Sequence, residues 1–352
     1  RFRNVTGVQT CALPICKRMM IMAVIAYSIT AGLSALSFDW MSFAALRFIV
    51  GLAIGSEWAT GSSMIAELWP DHARGKGAGL MQCGLGAGFF LASFVWLFVG
   101  GLGPGAWRYM YLIGVLPALL TLWIRRAIPE SAVWEQAAAR RRAAQTRFTL
   151  VDLFSERHFR RQTAIVFIMS LSSTLGFWGI STWVPPFIAG IAADSGLNAA
   201  RWSSYAGMAY TAGGVAGYIG LGFLADRYGR KPVTLAFFAL SLALTPVLFF
   251  WTRNPRALLL LACINAIFSS GQFTWMPTWL PELYPTRMRA TALAFAFNAP
   301  RFIAFLGPLL AGAMIVQFGG YGQAAMVQAT FYVLGIAATP LLPETIGKPL
   351  PA

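Results

Sequence analysis

Residues 222–231 read Gly-Phe-Leu-Ala-Asp-Arg-Tyr-Gly-Arg-Lys. This charged stretch stands at the junction of two apolar runs, 203–224 and 232–251. Each run is about the ~20 residues that a helix needs to cross a lipid bilayer. The stretch therefore predicts a short polar loop at a membrane surface, with a transmembrane helix on either side of it.

The composition of the whole chain agrees with a membrane location. Of 352 residues, 57% are hydrophobic and 11% are charged, and the mean hydropathy is +0.63. A soluble globular domain has nearer ~25% charged residues, so this class is excluded. The two histidines and four scattered cysteines offer no metal-ligand spacing and no disulfide framework. We expect neither a metal nor a cofactor.

Ten apolar runs are long enough to span the bilayer, and they are too long and continuous for strands. They cover residues 19–38, 41–66, 77–100, 107–125, 163–190, 203–224, 232–251, 256–280, 290–316 and 322–342. The predicted fold class is an all-α membrane protein.

The basic residues fall on one side of this arrangement. When alternate loops are assigned to opposite sides, 19 Lys and Arg residues lie on one face and four on the other. The richer side, the basic face, carries Lys17, Arg18, Arg74, Lys76, the nine basic residues from Arg125 to Arg161, Arg227, Arg230, Lys231, Arg287, Arg289 and Lys348. The positive-inside rule predicts that this face is cytoplasmic, in a plasma or bacterial inner membrane. It explains the net charge of +15 without a nucleic-acid partner.

Three short motifs recur at nearly one spacing. Glu67-Leu68-Trp69-Pro70 with Arg74 returns as Glu282-Leu283-Tyr284-Pro285 with Arg289, and Ile128-Pro129-Glu130-Ser131 returns as Leu342-Pro343-Glu344-Thr345. Lys17-Arg18 corresponds to Arg230-Lys231. The repeat predicts two homologous halves, residues 17–125 and 163–347, joined by a polar cytoplasmic linker at 126–162.

The two halves are unequal in length. The second contains six predicted spans and the first contains four, so the repeat leads us to expect two further spans before Lys17. Residues 5–15 resemble a translated sequencing-adapter tail, and we interpret residues 1–16 as foreign to the native frame. Re-sequencing of the locus tests this interpretation.

These motifs together resemble the major facilitator superfamily. Residues 222–231 match its G-x-L-A-D-R-x-G-R-K loop at every specified position, and Arg47-Phe48-x-x-Gly51-x-x-x-Gly55 and the Pro-Glu boxes at Glu130 and Glu344 add to the match. The resemblance is to the sugar-porter and organic-acid:proton symporter branches and covers residues 17–347. It implies two six-helix bundles, with about ten of twelve helices present, and a transporter. No catalytic motif favours an enzyme.

The resemblance also implies a gate on the basic face, where charges join the two halves in one state and separate in the other. The residues concerned are Asp226, Arg227, Arg230, Glu67, Arg74, Glu130, Glu282, Arg289 and Glu344. The alternative is a set of solvated loop charges, each contributing under ~1 kcal/mol.

Three ionisable residues lie inside predicted spans, where each is a candidate functional residue. Arg47 and Glu57 are ~15 Å apart along one helix and cannot pair with each other. The resemblance implies an acid on a preceding span as the partner of Arg47. Glu57 is either the proton carrier or a permanent ion-pair residue. Arg301, ~17 Å deep and next to Pro300, is the candidate anchor for a substrate carboxylate.

Polar and aromatic residues complete the candidate substrate site. Gln82, Gln272, Asn298 and Trp178 lie at depth, although a buried amide is as often a contact between helices as a ligand contact. The predicted function is a monomeric, proton-driven symporter of a small organic acid in the lipid bilayer. The alternative is a sugar or polyol:proton symporter. Glycines such as Gly75, Gly79 and Gly222 predict close helix packing.

Overall fold

The computed structural model describes residues 16–54, 57–119 and 149–351, and within them the side chains of Glu57 and Glu67 are not described. The described residues form helices and turns, without a strand. In the first half the helices are α1 (Cys16–Ser34), α2 (Trp40–Ile54), α3 (Glu57–Leu68), α4 (Arg74–Val99) and α5 (Ala106–Ile113).

The second half continues this all-helical architecture. Its helices are α6 (Thr149–Ser155), α7 (Arg157–Ser181), α8 (Val184–Asp194), α9 (Ala199–Tyr228), α10 (Arg230–Phe250), α11 (Pro255–Ser269), α12 (Trp275–Leu283), α13 (Thr286–Asn298), α14 (Arg301–Ala304), α15 (Leu306–Phe318), α16 (Tyr321–Ala329) and α17 (Tyr332–Ala338).

Local sequence signals set several of these boundaries. The Asn198 side chain accepts a hydrogen bond from the Arg201 amide at the start of α9, and Asn254 does the same for two amides of α11. Both are N-caps that satisfy amides left free at a helix start. Gly229 has a φ of 105°, which other residues rarely adopt, and it makes the sharp turn between α9 and α10.

The described residues of the ten predicted spans lie mainly in helices, and six helical stretches of the described chain are long and apolar enough to cross a membrane. The six are Asp71–Val99, Arg157–Asp194, Ala199–Tyr228, Arg230–Phe250, Pro255–Leu283 and Tyr321–Leu341. Helix α5 stops at Ile113, well before the predicted end at residue 125, because a turn follows at Gly114.

The predicted span 290–316 is divided into α13, α14 and α15. Pro300 lies at the first break, where its missing amide cannot bond the carbonyl of Ala296. Most of the predicted linker lies outside the described residues. Its final part is helical, and Gln162 is fixed there by a 2.6 Å hydrogen bond from Nε2 to the Leu283 carbonyl.

The two halves meet along α4 and α9, where glycine allows backbone to touch backbone. A Cβ added at Gly222 would lie 2.2 Å from the carbonyl oxygen of Gly75, and one at Gly79 would lie 2.5 Å from that of Tyr218. The predicted close packing is confirmed at this seam. No side chain intervenes, so any larger residue here must push the helices apart.

Candidate functional site

Four buried charged side chains close the seam on the basic face. Arg230 donates to Glu282 through Nε (3.1 Å) and Nη2 (2.8 Å), and to Asp226 through Nη1 (2.8 Å). Arg74, from the first half, lies 3.4 Å from Glu282. We call Arg74, Asp226, Arg230 and Glu282 the charge network. Their side chains are at most 4% exposed, so these are not solvated loop charges.

Asp226 binds the opposite half through backbone amides. Its Oδ1 accepts from the Gly75 amide at 3.1 Å and its Oδ2 from the Lys76 amide at 3.0 Å. These amides lie in the first turn of α4, where the helix itself supplies no acceptor and its dipole favours a negative charge. Asp226 therefore caps α4 from across the seam, which a sequence analysis of α9 alone does not reveal.

Glu344 caps a second helix, α10, within the second half. Its carboxylate accepts from the amides of Arg230 (3.0 Å) and Lys231 (2.9 Å), and from those of Thr345 and Ile346 in its own segment. Partial burial works to raise the pKa of this carboxyl, but the four amide donors outweigh burial and lower it below its ordinary value.

The segment after Glu344 continues along the charge network. Thr345 Oγ1 donates to Glu282 at 2.5 Å, and the Lys348 carbonyl lies 3.5 Å from Arg74 Nη1. Asp71, which is 64% exposed, also pairs with Arg74 within the first half. Sequence analysis missed Asp71, Thr345 and Lys348. The Pro-Glu-Thr box was the available signal for Thr345.

Two other predicted gate residues, Arg289 and Arg227, have the following described contacts. Arg289 is buried and donates to the carbonyls of Pro281 (3.0 Å) and Pro351 (3.1 Å). Arg227 is exposed, with its guanidinium 5.2 Å from the Tyr228 ring centre. Glu130 and the side chain of Glu67 lie outside what the structure describes, and their gate role stays a prediction.

A second set of contacts crosses the seam at mid-depth. The indole of Trp58 in α3 stacks on the Phe297 ring of α13, with centroids 4.0 Å apart and planes 6° from parallel. The Arg301 guanidinium carbon lies 3.7 Å from the Phe297 ring centre, and Trp58 Nε1 donates to Gln82 Oε1 at 2.7 Å. Two predicted site residues, Gln82 and Arg301, are thus joined through two aromatic rings that sequence analysis missed. The available signal for Trp58 and Phe297 was that each is adjacent in sequence to a predicted site residue, Glu57 or Asn298.

Arg301 has no carboxylate within ion-pair distance among the described side chains. Its Nη1 donates to the carbonyl of Phe297, one turn earlier. It lies ~17 Å along its span from the basic face, and Trp58 lies ~15 Å from the end of α3 at Leu68. Both therefore lie near the middle of a ~30 Å hydrocarbon layer.

The remaining predicted substrate residues have described contacts with other helices and with the backbone. Gln272 is fully buried in the second half and accepts from Ser173 Oγ at 2.6 Å. Asn298 donates to the Ala294 carbonyl at 2.9 Å. Trp178 is 40% exposed and meets Phe89 of α4 edge to face. In this structure Gln272 joins helices to one another, and Trp178 lies at the seam.

Arg47 occupies an aromatic corner of the first half. Its Nη2 donates to Ser34 Oγ at 2.8 Å, and its guanidinium carbon lies 4.6 Å from the Tyr111 ring centre. Its buried Nε has no hydrogen-bond partner among the described residues. The side chain of Glu57 lies outside the described part, so its pairing stays a prediction.

Two cavities open away from the basic face. One of about 390 Å³ lies among Ser37, Phe38, Asp39, Trp40, Phe43, Trp107 and Arg108. The other, of about 270 Å³, lies between the halves and is lined by Phe89, Ala92, Ser93, Trp96, Met110, Pro185, Ser203, Ser204 and Gly207. Neither is lined by Gln82 or Arg301, whose surroundings are closed by the Trp58–Phe297 stack.

A polytopic membrane protein of two helical halves, sealed by charges at one face and holding a lone arginine at mid-depth, has the architecture of a transporter. Comparison with known families agrees with this class. The Major Facilitator Superfamily model matches residues 15–219 and 186–345. The chain belongs to this superfamily, and it is a multi-pass membrane transporter rather than an enzyme.

Individual relatives match this chain over most of its length. The chain is 26% identical to the cis,cis-muconate transport protein of Acinetobacter baylyi, over 91% of this chain and 76% of the relative. It is 27% identical to the sialic acid transporter NanX of Escherichia coli, over 95% and 78%. Among solved structures, the proton:xylose symporter XylE bound to 6-bromo-6-deoxy-D-glucose has a TM-score of 0.66 at 22% identity, covering 95% of this chain and 82% of that one. This last likeness concerns the fold.

Proposed function

We propose that the chain is a proton-coupled symporter of a small organic acid, working by alternating access between its two halves. The observation that carries the proposal is Arg301. A guanidinium at mid-depth without a carboxylate partner among the described residues is costly in hydrocarbon, and a substrate carboxylate would offset that cost. The planar fork of arginine suits bidentate capture of such a group.

The relatives support the same substrate class. Muconate and sialic acid, named for two relatives, are both organic acids. Gln82 adds a second polar group on the other side of the seam, and its Nε2 donor has no partner among the described residues. A carboxylate, with two acceptor oxygens, is the ligand that matches such donors.

The proposal assigns gating to the charge network, together with Glu344 and the predicted Glu67, Glu130, Arg227 and Arg289. On the positive-inside rule the basic face, with the linker and the C-terminus, is cytoplasmic in the plasma or inner membrane. The described conformation is then closed to the cytoplasm. We also propose a monomer as the working unit.

For proton coupling we propose Glu57 and Arg47. A carboxyl in the span can bind a proton during one half of the cycle. Arg47, ~15 Å away along the same span, would act through an acid on another span. The proton gradient supplies the energy, so the proposal invokes no cofactor.

The test is uptake of labelled cis,cis-muconate, benzoate and xylose into vesicles from cells expressing the gene, compared with vesicles from cells without it. We expect protein-dependent uptake of an acid that an inward proton gradient accelerates and a protonophore abolishes. We expect Arg301→Lys and Arg301→Ala to lose it while retaining expression. Normal uptake by the lysine variant would refute the anchor role of Arg301.

A sugar or polyol:proton symporter is the second candidate, favoured by the fold likeness to the proton:xylose symporter. In that case Gln82, Gln272, Asn298 and Trp178 would supply the hydrogen bonds and the stacking surface that sugars use. Xylose uptake without uptake of any acid would select this alternative.

A further inference from the structure

The Trp58–Phe297 stack lies where the two halves meet. Trp58 belongs to α3 and Phe297 to α13, so the contact crosses the seam. The two rings lie face to face, with centroids 4.0 Å apart and planes 6° from parallel, so each presents a flat face toward the opposite half.

Each ring has a hydrogen-bond donor beside it, on its own side of the seam. Behind Phe297 lies the Arg301 guanidinium, 3.7 Å from the ring centre. At the edge of the Trp58 indole lies Gln82, which is 2% exposed and whose Oε1 accepts from the indole N–H. That bond turns Nε2 away from the indole, where it has no partner in the described part of the chain.

Separation of the halves would carry Trp58 with Gln82 one way and Phe297 with Arg301 the other. The gap would then have a flat aromatic face on each wall, with Gln82 at the edge of the Trp58 ring and Arg301 against the outer face of Phe297. A ligand that fills it must be flat, must offer two aromatic contacts in place of the one that is broken, and must carry acceptor oxygens with negative charge.

We propose that Trp58 and Phe297 are specificity-determining residues that clamp a flat, conjugated carboxylate between their rings, with its carboxylate reaching past the ring edges to Gln82 and to Arg301, whose guanidinium moves from the outer face of Phe297 to meet it. This inference rests on the proposed function and narrows its substrate class. A saturated acid of equal size and charge has no flat face and gains only the carboxylate contacts.

One additional aromatic stack is worth about 0.5–1.5 kcal/mol beyond area burial, which corresponds to about 2- to 10-fold in affinity. We therefore expect the chain to bind benzoate about 2- to 10-fold more tightly than cyclohexanecarboxylate. The two ions share the carbon number and the charge, and differ in the flatness of the ring. cis,cis-Muconate and adipate form a second pair that differs in the same way without a ring.

The experiment is equilibrium binding to the purified chain in lipid nanodiscs, with labelled benzoate displaced by each unlabelled acid and by xylose. The Trp58→Leu and Phe297→Leu variants should bring both affinity ratios close to one, and Trp58→Phe should keep them. Trp251→Leu is the matched control, because Trp251 is 78% exposed at the end of α10 and far from the stack. Its ratios should equal those of the unmodified chain.

The outcomes separate this inference from the proposed function. If both members of each pair bind equally to the unmodified chain, the clamp is wrong, whereas the organic-acid function stands. If the preference survives in both leucine variants, the clamp is also wrong. If labelled benzoate and labelled cis,cis-muconate both fail to bind and labelled xylose binds, both proposals fail. The two affinity ratios measured on the unmodified chain test the clamp even if a leucine variant does not fold.

Discussion

The substitution Asp226→Asn tests the role of the charge network in holding the halves together. Asparagine has nearly the shape of aspartate but a single acceptor oxygen and no charge. In place it can accept from one of the two α4 amides, Gly75 or Lys76, and must turn its NH₂ group toward the other donor. Arg230 keeps Glu282 as a partner, so the corner between α9 and α10 stays intact.

The size of the effect follows from the contacts that cross the seam. One lost hydrogen bond to a charged group costs about 1.5–3 kcal/mol. The lost charge at the start of α4 costs about 0.3–1 kcal/mol more. Since both contacts exist only while the basic face is closed, the closed state loses about 2–4 kcal/mol relative to the open one, or about 30- to 700-fold in the equilibrium constant.

The assay is a distance measurement by electron spin resonance between labels at His72→Cys and Leu341→Cys, after replacement of the native cysteines. Both positions are exposed, one on each half near the basic face. We expect Asp226→Asn to add a longer distance that the parent lacks, to slow transport strongly, and to leave ligand binding largely unchanged because the mid-depth contacts are not touched.

Arg227→Gln is the matched control for this experiment. It removes the neighbouring charge, but Arg227 is exposed and its described contact is with Tyr228 of its own half. A surface change of this kind shifts stability by no more than about 0.5 kcal/mol. An unchanged distance distribution in Asp226→Asn, or equal opening in both variants, would refute the reasoning.

Three further predictions use other contacts of the seam and of the basic face. Gly222→Ala should push α4 and α9 apart and destabilise the protein by about 1–3 kcal/mol in thermal unfolding, whereas Gly220→Ala, whose Cβ would meet nothing within 4 Å, should have little effect. Because the folded pKa of Glu344 is lowered, its contribution to stability is present above the ordinary value of about 4.3 and is lost as the pH falls through the lowered value. Glu344→Gln should therefore weaken the fall in melting temperature at acid pH. An unchanged dependence of the melting temperature on pH would contradict this. Glu282→Gln leaves two buried arginines facing one buried carboxylate, so adding Arg74→Gln should recover part of the lost stability, and additive losses would contradict the pairing.

Much of the fold was predictable from the sequence because hydrocarbon imposes strong constraints on a chain. A run of ~20 apolar residues has few alternatives to a helix in a bilayer. Helix boundaries that depend on local hydrogen bonding were harder to predict from the sequence. The early end of α5 near Gly114 and the division of 290–316 depend on which carbonyl loses its donor, which hydropathy does not register.

The candidate site was predictable in its charges but not in its pairings. The repeat marked Arg74 in the first half and Glu282 in the second as members of one recurring motif, and the structure places these two side chains 3.4 Å apart across the seam. Nothing in the spacing of α9 indicated that Asp226 would cap α4. Trp58 and Phe297 read as ordinary span residues, because a stack between distant helices leaves no periodic signal in either helix.

The seam differs electrostatically between its basic face and its middle. The charge network holds two arginines and two carboxylates, so its charges balance without any ligand and the closed face keeps its partners whether or not substrate is bound. Arg301 at mid-depth has an aromatic ring and a carbonyl but no balancing carboxylate among the described residues. Under the proposed function its charge is balanced when an acid binds, and that contact is lost when the acid leaves. A ligand can shift a conformational equilibrium only by its differential affinity for the two states. Binding of an acid to Arg301 would therefore supply a free energy that depends on the ligand. The contacts of the charge network supply a free energy that does not depend on the ligand and that must be overcome to open the basic face.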